Sequence, residues 1–251
     1  YLSYFFSPNT HLTGEALGLF YAAAAFPELP EAGRWRALGA RILADEAERQ
    51  VYADGVYFEQ STAYQRYTTE FYLHFLILAA RHGVPVPARV GERVQRMVDF
   101  LLAVRWPDGA VPRIGDADGG TLLPLMRRAP DDFRNTFALA AAVFGRGDYA
   151  WASGGVTPEL VWLLGSEGCE VFENLRAAPP ATPASRLFPE GGYAVMRSGW
   201  DARAHQLIFD VGPLGCSVSG GHGHADLLAI QCAIAGTSCL IAPGTHIYTG
   251  D

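Results

Sequence analysis

The chain has 251 residues, 49% of them apolar and 18% charged, with a formal net charge of -7. This composition supplies a sizeable core for one large or two small domains and excludes a disordered chain. No apolar run reaches the roughly 18 residues of a membrane span. The acidic balance argues against a general nucleic-acid binder, yet it leaves room for a small basic groove that takes an anionic ligand.

The first two-thirds read as helices. After Ser7-Pro8-Asn9, residues Leu12, Ala16, Leu19, Phe20 and Ala23 recur at helical spacing until Pro27. A second helix is predicted over 31–51, a third over 63–82 stopped by Gly83 and Pro85, and a fourth over 88–104. Further helices are predicted over 130–144 and 158–164. Asp54-Gly55 and Asp108-Gly109 mark turns at matching places between helices. This weak repeat suggests paired helices in a toroid or solenoid.

From Ala177 the composition turns to alanine, proline, threonine and serine, as in a linker. Beyond it come short β-type runs over 192–197, 206–211, 227–235 and 238–242, separated by glycine-rich connections. The boundary is therefore expected near Pro183, with a helical domain over 1–182 and the start of an antiparallel β domain over 183–251. Four cysteines, Cys169, Cys216, Cys232 and Cys239, lie in the second half without C-x-x-C spacing. Cys232 and Cys239 fit apolar segments as small hydrophobes, and any pairing is open from sequence. The abrupt start at Tyr1 and the stop at Asp251 read as those of a fragment.

Four polar constellations punctuate this plan. Asn9 stands at a helix start, where it suits an N-cap; His11, two residues on, has no capping task. In the stretch from Asp54 to Tyr67, Tyr67 fits the apolar stripe, whereas Tyr64 and Arg66 fit it poorly. A phenol at a helix mouth near a cation suits proton transfer. Arg113-Ile114-Gly115-Asp116-Ala117-Asp118-Gly119-Gly120 has a metal-like D-x-D-G-G but lacks the further acids of a calcium loop, so a polar turn lining a groove fits better. Finally, Gly220-Gly221-His222-Gly223-His224-Ala225-Asp226 carries two histidines at alternate positions. In an extended chain they share one face, as a metal half-site or acid/base pair, although a turn with solvated imidazoles fits the isolated motif equally well.

Together these four resemble the heparinase II/III-like polysaccharide lyases, a group that includes alginate and glycosaminoglycan lyases. Asp-Gly-x-x-x-Glu-x-Ser-x-x-Tyr, from Asp54 to Tyr64, is similar to the loop that holds that family's catalytic tyrosine. Asn9 and His11 resemble the site that contacts a substrate carboxylate, although Thr10 separates them here. Gly-His-x-His-x-Asp resembles the opening of the β-sandwich domain, with His222 as the active-site histidine. The run over 192–198 is similar to a strand beginning that domain.

The resemblance implies an incomplete (α/α) toroid followed by the start of an antiparallel β-sandwich, in a periplasmic or secreted enzyme. It implies catalytic roles for Tyr64, His222, Asn9 and His11, and substrate contacts from Glu59, Gln60, Arg66, Arg113 and Asp116. No cofactor is implied for the chemistry. Some members hold a structural zinc, whose first ligand corresponds to His224. Ala242 stands where an aspartate ligand falls, and the third ligand lies beyond Asp251.

The implied reaction is β-elimination beside a uronic acid in an anionic polysaccharide. It requires neutralising the carboxylate, removing the C5 proton and protonating the leaving oxygen. Asn9 and His11 suit the first task and Tyr64 the proton steps, with Arg66 or a protonated histidine favouring the phenolate. His222 completes the site from the β domain. Two alternatives remain: a glycoside hydrolase using Glu59 with Asp116 or Asp118, and a non-catalytic glycan-binding protein.

Overall fold

The computed structural model describes residues 4–217 and 219–247. Helices α1 (Thr10–Ala25) and α2 (Ala32–Arg49) pack closely together. A Cβ at Gly39 would lie 2.6 Å from the Ala16 carbonyl oxygen, so glycine permits the approach. Helix α3 (Thr62–Arg81) is buried on most sides, through Phe71, Tyr72, Leu73, Phe75 and Ile77, and packs against α1, α4 (Ala88–Val104) and α5 (Arg134–Phe144). In α4 the buried Val90, Val94, Met97, Val98 and Leu101 follow the three- and four-residue spacing that the sequence shows.

Two helical expectations need correction, and one short helix had none. Helix α5 starts at Arg134 and not at 130, because Asp132 accepts the Arg134 backbone N–H and pairs with its guanidinium in a turn before the helix. Helix α7 (Pro158–Glu173) runs past 164. Gly165, at φ 64°, breaks it near the expected end, and the helix resumes beyond. The seven-residue α6 (Gly147–Ser153) is too short to show a periodicity.

The strands β1 (Arg186–Phe188), β2 (Tyr193–Arg197), β3 (Gln206–Asp210), β4 (Ile230–Ile234) and β5 (Thr237–Leu240) form one antiparallel sheet in chain order. The expected run over 227–235 pairs only from Ile230, because Leu228 takes φ 66° and its N–H reaches the Asp210 carbonyl. Strand β1 was not foreseen from sequence; three residues carry too little alternation.

One sheet face buries Phe188, Tyr193, Val195, Ile208 and Ala233. Phe100 of α4 meets that face, edge-on to Phe188 at 5.0 Å and tilted against Tyr193 at 5.2 Å. Arg197 and Gln206 donate to the carbonyls of Arg105 and Val104 at the end of α4. Asp54 accepts the backbone N–H groups of Glu190 and Gly191, both at 2.8 Å. Sheet and helices thus meet through packed aromatics and through charged groups that satisfy loop backbone.

Candidate active site

The site forms where the N-terminus of α3 meets two loops. Ser61 caps α3: its hydroxyl accepts the Tyr64 N–H at 3.2 Å and donates to the Asp116 carbonyl at 2.6 Å. Thr62 continues the lacing, since its N–H and hydroxyl bond Ile114 and Pro112 of the neighbouring loop. Gly115 sits at φ 67°, and a Cβ there would lie 2.6 Å from the His222 carbonyl oxygen and 2.8 Å from that of Gln60. Only glycine fits that junction. Asp116 donates its N–H to the His222 carbonyl at 2.8 Å, fastening the histidine loop onto the same point.

These contacts bring the Tyr64 and His222 rings together, with centroids 3.9 Å apart and planes 30° apart. The Tyr64 hydroxyl donates to Asp118 at 3.1 Å. His222 Nδ1 lies 3.5 Å from Asp116 Oδ2, and His224 Nε2 lies 2.9 Å from Asp116 Oδ1. Thr245 donates to the same Asp116 Oδ1 at 3.2 Å. Both imidazoles therefore meet one carboxylate, but strand alternation is not the cause. His222 has φ 66° within an irregular loop, so the extended-chain premise is corrected.

Among the described residues, five non-glycine residues have positive φ, and Asn9, Gln60 and His222 are three of them. Such strain concentrates at functional sites. Asn9 is half-buried at the head of α1, and its side chain makes no capping hydrogen bond. The cap expected of it is supplied by Glu59, which accepts the Thr10 N–H at 3.2 Å and the Thr10 hydroxyl at 2.5 Å. Glu59 is fully buried in this task, so its expected contact with substrate is corrected to positioning α1 beside the Gln60 turn. His11 is exposed on the first turn of α1. Gln60 is buried.

A cleft of about 430 Å³ opens beside Asp118, lined by Arg66, Arg113, Arg127 and Arg128 together with Asn135 and Thr245. Arg113 and Arg127 are exposed and form no ion pair with a carboxylate among the described residues. Arg128 is held by Asp132 and Glu159. Arg66 differs from its expected role beside the phenol. It is buried over the Phe133 ring, donates to the Gly120 carbonyl and lies 3.9 Å from Glu70. Glu70 is also buried, and burial pushes its carboxyl up despite Arg66, Thr136 and Asn135.

Four cleft residues, Arg127, Arg128, Asn135 and Thr245, were not among the expected site residues, and Asp118 was expected only under the hydrolase alternative. The adjacent Arg127-Arg128 pair was the one visible signal, whereas nothing in the sequence around Thr245 marks it. For a zinc ion the fit is poor. Among the described residues no group of three His, Cys, Asp or Glu side chains is arranged to hold a metal ion, and His224 spends its Nε2 on Asp116. Among the described residues, no helix is long and apolar enough to cross a membrane.

The chain is similar over its whole length to heparin-sulfate lyases of Pedobacter heparinus (25% identical over 255 residues) and Bacteroides stercoris (25% identical over 252 residues). It covers 34% and 33% of those proteins, so it spans about a third of their length. Among solved structures, a heparinase III matches with a TM-score of 0.76 at 24% identity, over 100% of this chain and 35% of the other. The heparan sulfate lyase of Pedobacter heparinus gives a TM-score of 0.73 at 24% identity, again over 100% and 35%. These likenesses show the fold, a helical toroid-type part joined to an antiparallel β part. The family model for the heparinase II/III N-terminus matches residues 1–140, and that for the heparinase II/III-like C-terminal domain matches residues 180–251. On these grounds, the chain belongs to the heparinase II/III family.

Proposed function

We propose that this chain carries the active cleft of a polysaccharide lyase that cleaves an anionic, uronate-containing glycosaminoglycan by β-elimination. The observation that carries the reading is the stacked Tyr64–His222 pair at the edge of an arginine-lined cleft. A phenol and an imidazole in contact are two proton carriers within reach of one sugar ring. Arg113 and Arg127, unpaired with acids among the described residues, suit the carboxylate and sulfate groups of such a chain. The names of the curated relatives point to the same substrate class.

In this reading the Asn9 amide stabilises the charge that develops on the uronate carboxylate as C5 loses its proton. Tyr64 moves protons between C5 and the leaving oxygen, while Asp118 holds the hydroxyl in place before substrate enters. Asp116 orients His222 and His224, so it acts by positioning. A hydrolase needs two carboxylates across the scissile bond. Glu59, one of those considered for that role, is fully buried against Thr10, which disfavours that reading.

The full-length protein should be incubated with heparan sulfate, hyaluronan, chondroitin and alginate while ultraviolet absorbance is followed. An unsaturated uronate product absorbs and supports the lyase. New reducing ends without absorbance would establish a hydrolase, and binding without any cleavage would establish a glycan-binding protein.

A further inference from the structure

Cys232 in β4 and Cys239 in β5 have their sulfurs 3.3 Å apart, both as free thiols. The sheet register explains the approach. Cys232 pairs with Leu240 and Ala233 with Ser238, so Cys239 is an extra residue on β5 at a bulge. A bulge residue escapes strict alternation and can be re-aimed. Here its thiol comes to lie on Cys232. The neighbouring strands hold the pair in place, with Ala233 buried on the opposite sheet face.

We propose that Cys232 and Cys239 are a modification site: a redox-convertible pair that closes to a disulfide across the β4–β5 hairpin when a small-molecule disulfide is the oxidant. The exposed Cys239 thiolate attacks one sulfur of the oxidant and expels the other half as a thiolate. Cys232 then attacks the Cys239 sulfur and expels the second half. Two protein thiols become one disulfide, the oxidant disulfide becomes two thiols, and the two cysteine protons pass to them through solvent. Cys239 is exposed and Cys232 half-buried, which favours Cys239 as the first attacker. A disulfide of about 2.05 Å requires the sulfurs to close by about 1.3 Å, a change that side-chain torsions supply.

The pair has a structural consequence for the site. A short run leads from β5 to Thr245, which bonds Asp116 and the Ala117 N–H. Cross-linking β5 to β4 fastens that run to the strand paired with β3.

The full-length protein should be equilibrated with oxidised glutathione, then alkylated and mapped by peptide mass spectrometry without reduction. The expected product is one linked peptide pair holding Cys232 and Cys239, lighter by two hydrogens and reversed by dithiothreitol. Its formation should raise Tm by several degrees, an increase that Cys239→Ser abolishes. Glutathione left on Cys239 without ring closure overturns the proposal. So do persistent alkylation of both thiols, linkage of Cys232 to a different cysteine, or an unchanged Tm after the cross-link forms. The map of the unmodified protein decides the chemistry even if a variant folds poorly.

Discussion

Tyr64 and His222 come from opposite ends of the chain, yet their rings stack at 3.9 Å. The contact depends on Ser61, which caps the helix carrying Tyr64 and bonds Asp116, whose N–H in turn holds the His222 carbonyl. One serine and one loop thus set the geometry of two candidate proton carriers.

Replacing Tyr64 by phenylalanine removes the hydroxyl that donates to Asp118 and leaves the ring to stack on His222. If Tyr64 transfers protons, turnover of the full-length protein falls by about 100-fold or more while substrate affinity changes little. Near-normal kcat on a polysaccharide cleaved by the parent would return Tyr64 to a packing role.

Gly115→Ala forces a side chain into a left-handed position, where Cβ meets the His222 and Gln60 carbonyls. The backbone penalty alone is about 1–2 kcal/mol. Relief of the clash moves the histidine loop off α3. We expect a lower Tm together with a fall in kcat. An unchanged Tm would show that the loop has space the structure does not indicate.

Arg113→Ala and Arg127→Ala each remove a cation from the cleft that forms no ion pair among the described residues. Exposed arginines that bind anionic groups work in partial competition with salt. KM should rise several-fold for each, with kcat largely kept, and the dependence of KM on ionic strength should flatten. Equal KM for parent and variants at low salt would remove these arginines from the substrate path.

His74 is buried in α3, and its Nδ1 lies 2.6 Å from the Tyr21 hydroxyl. Burial lowers its pKa to about 4, from an ordinary 6.5. Between those values the unfolded chain takes the proton and the folded chain does not. Its contribution is therefore intact above pH 6.5 and is lost as pH falls toward 4, by up to about 3 kcal/mol. His74→Asn keeps an acceptor for Tyr21 and removes the titration. Denaturant midpoints at several pH values should show a shallower acid loss for the variant; parallel curves for both proteins would refute the assignment.

The long helices were legible in sequence because their apolar residues repeat at 3.6-residue spacing, as in α4. Three strands were placed within a residue or two, since glycine-rich turns bracket them. Short elements such as α6 and β1 carry no period to detect. Glu59 illustrates another limit. As a residue type in a polar loop it suited substrate binding, but only the tertiary structure shows it wholly consumed in holding Thr10. Arg66 was rightly marked as a cation near the helix mouth, yet packing turned it toward Glu70 and Phe133.

The sequence by itself determined the order of the longer helices and of the four strands after β1, and its local motifs marked Asn9, Tyr64, His222 and His224 as chemically unusual residues. Periodicity and turn chemistry are local, so they can be read along the chain. Which side chains meet was decided by tertiary structure alone. Two histidines converge on Asp116 through a loop with positive φ, and Thr245 reaches the same carboxylate from beyond β5. Four arginines from three separate segments also line one cleft on an acidic protein. Such convergence depends on how separate elements pack, and no spacing along the sequence encodes it.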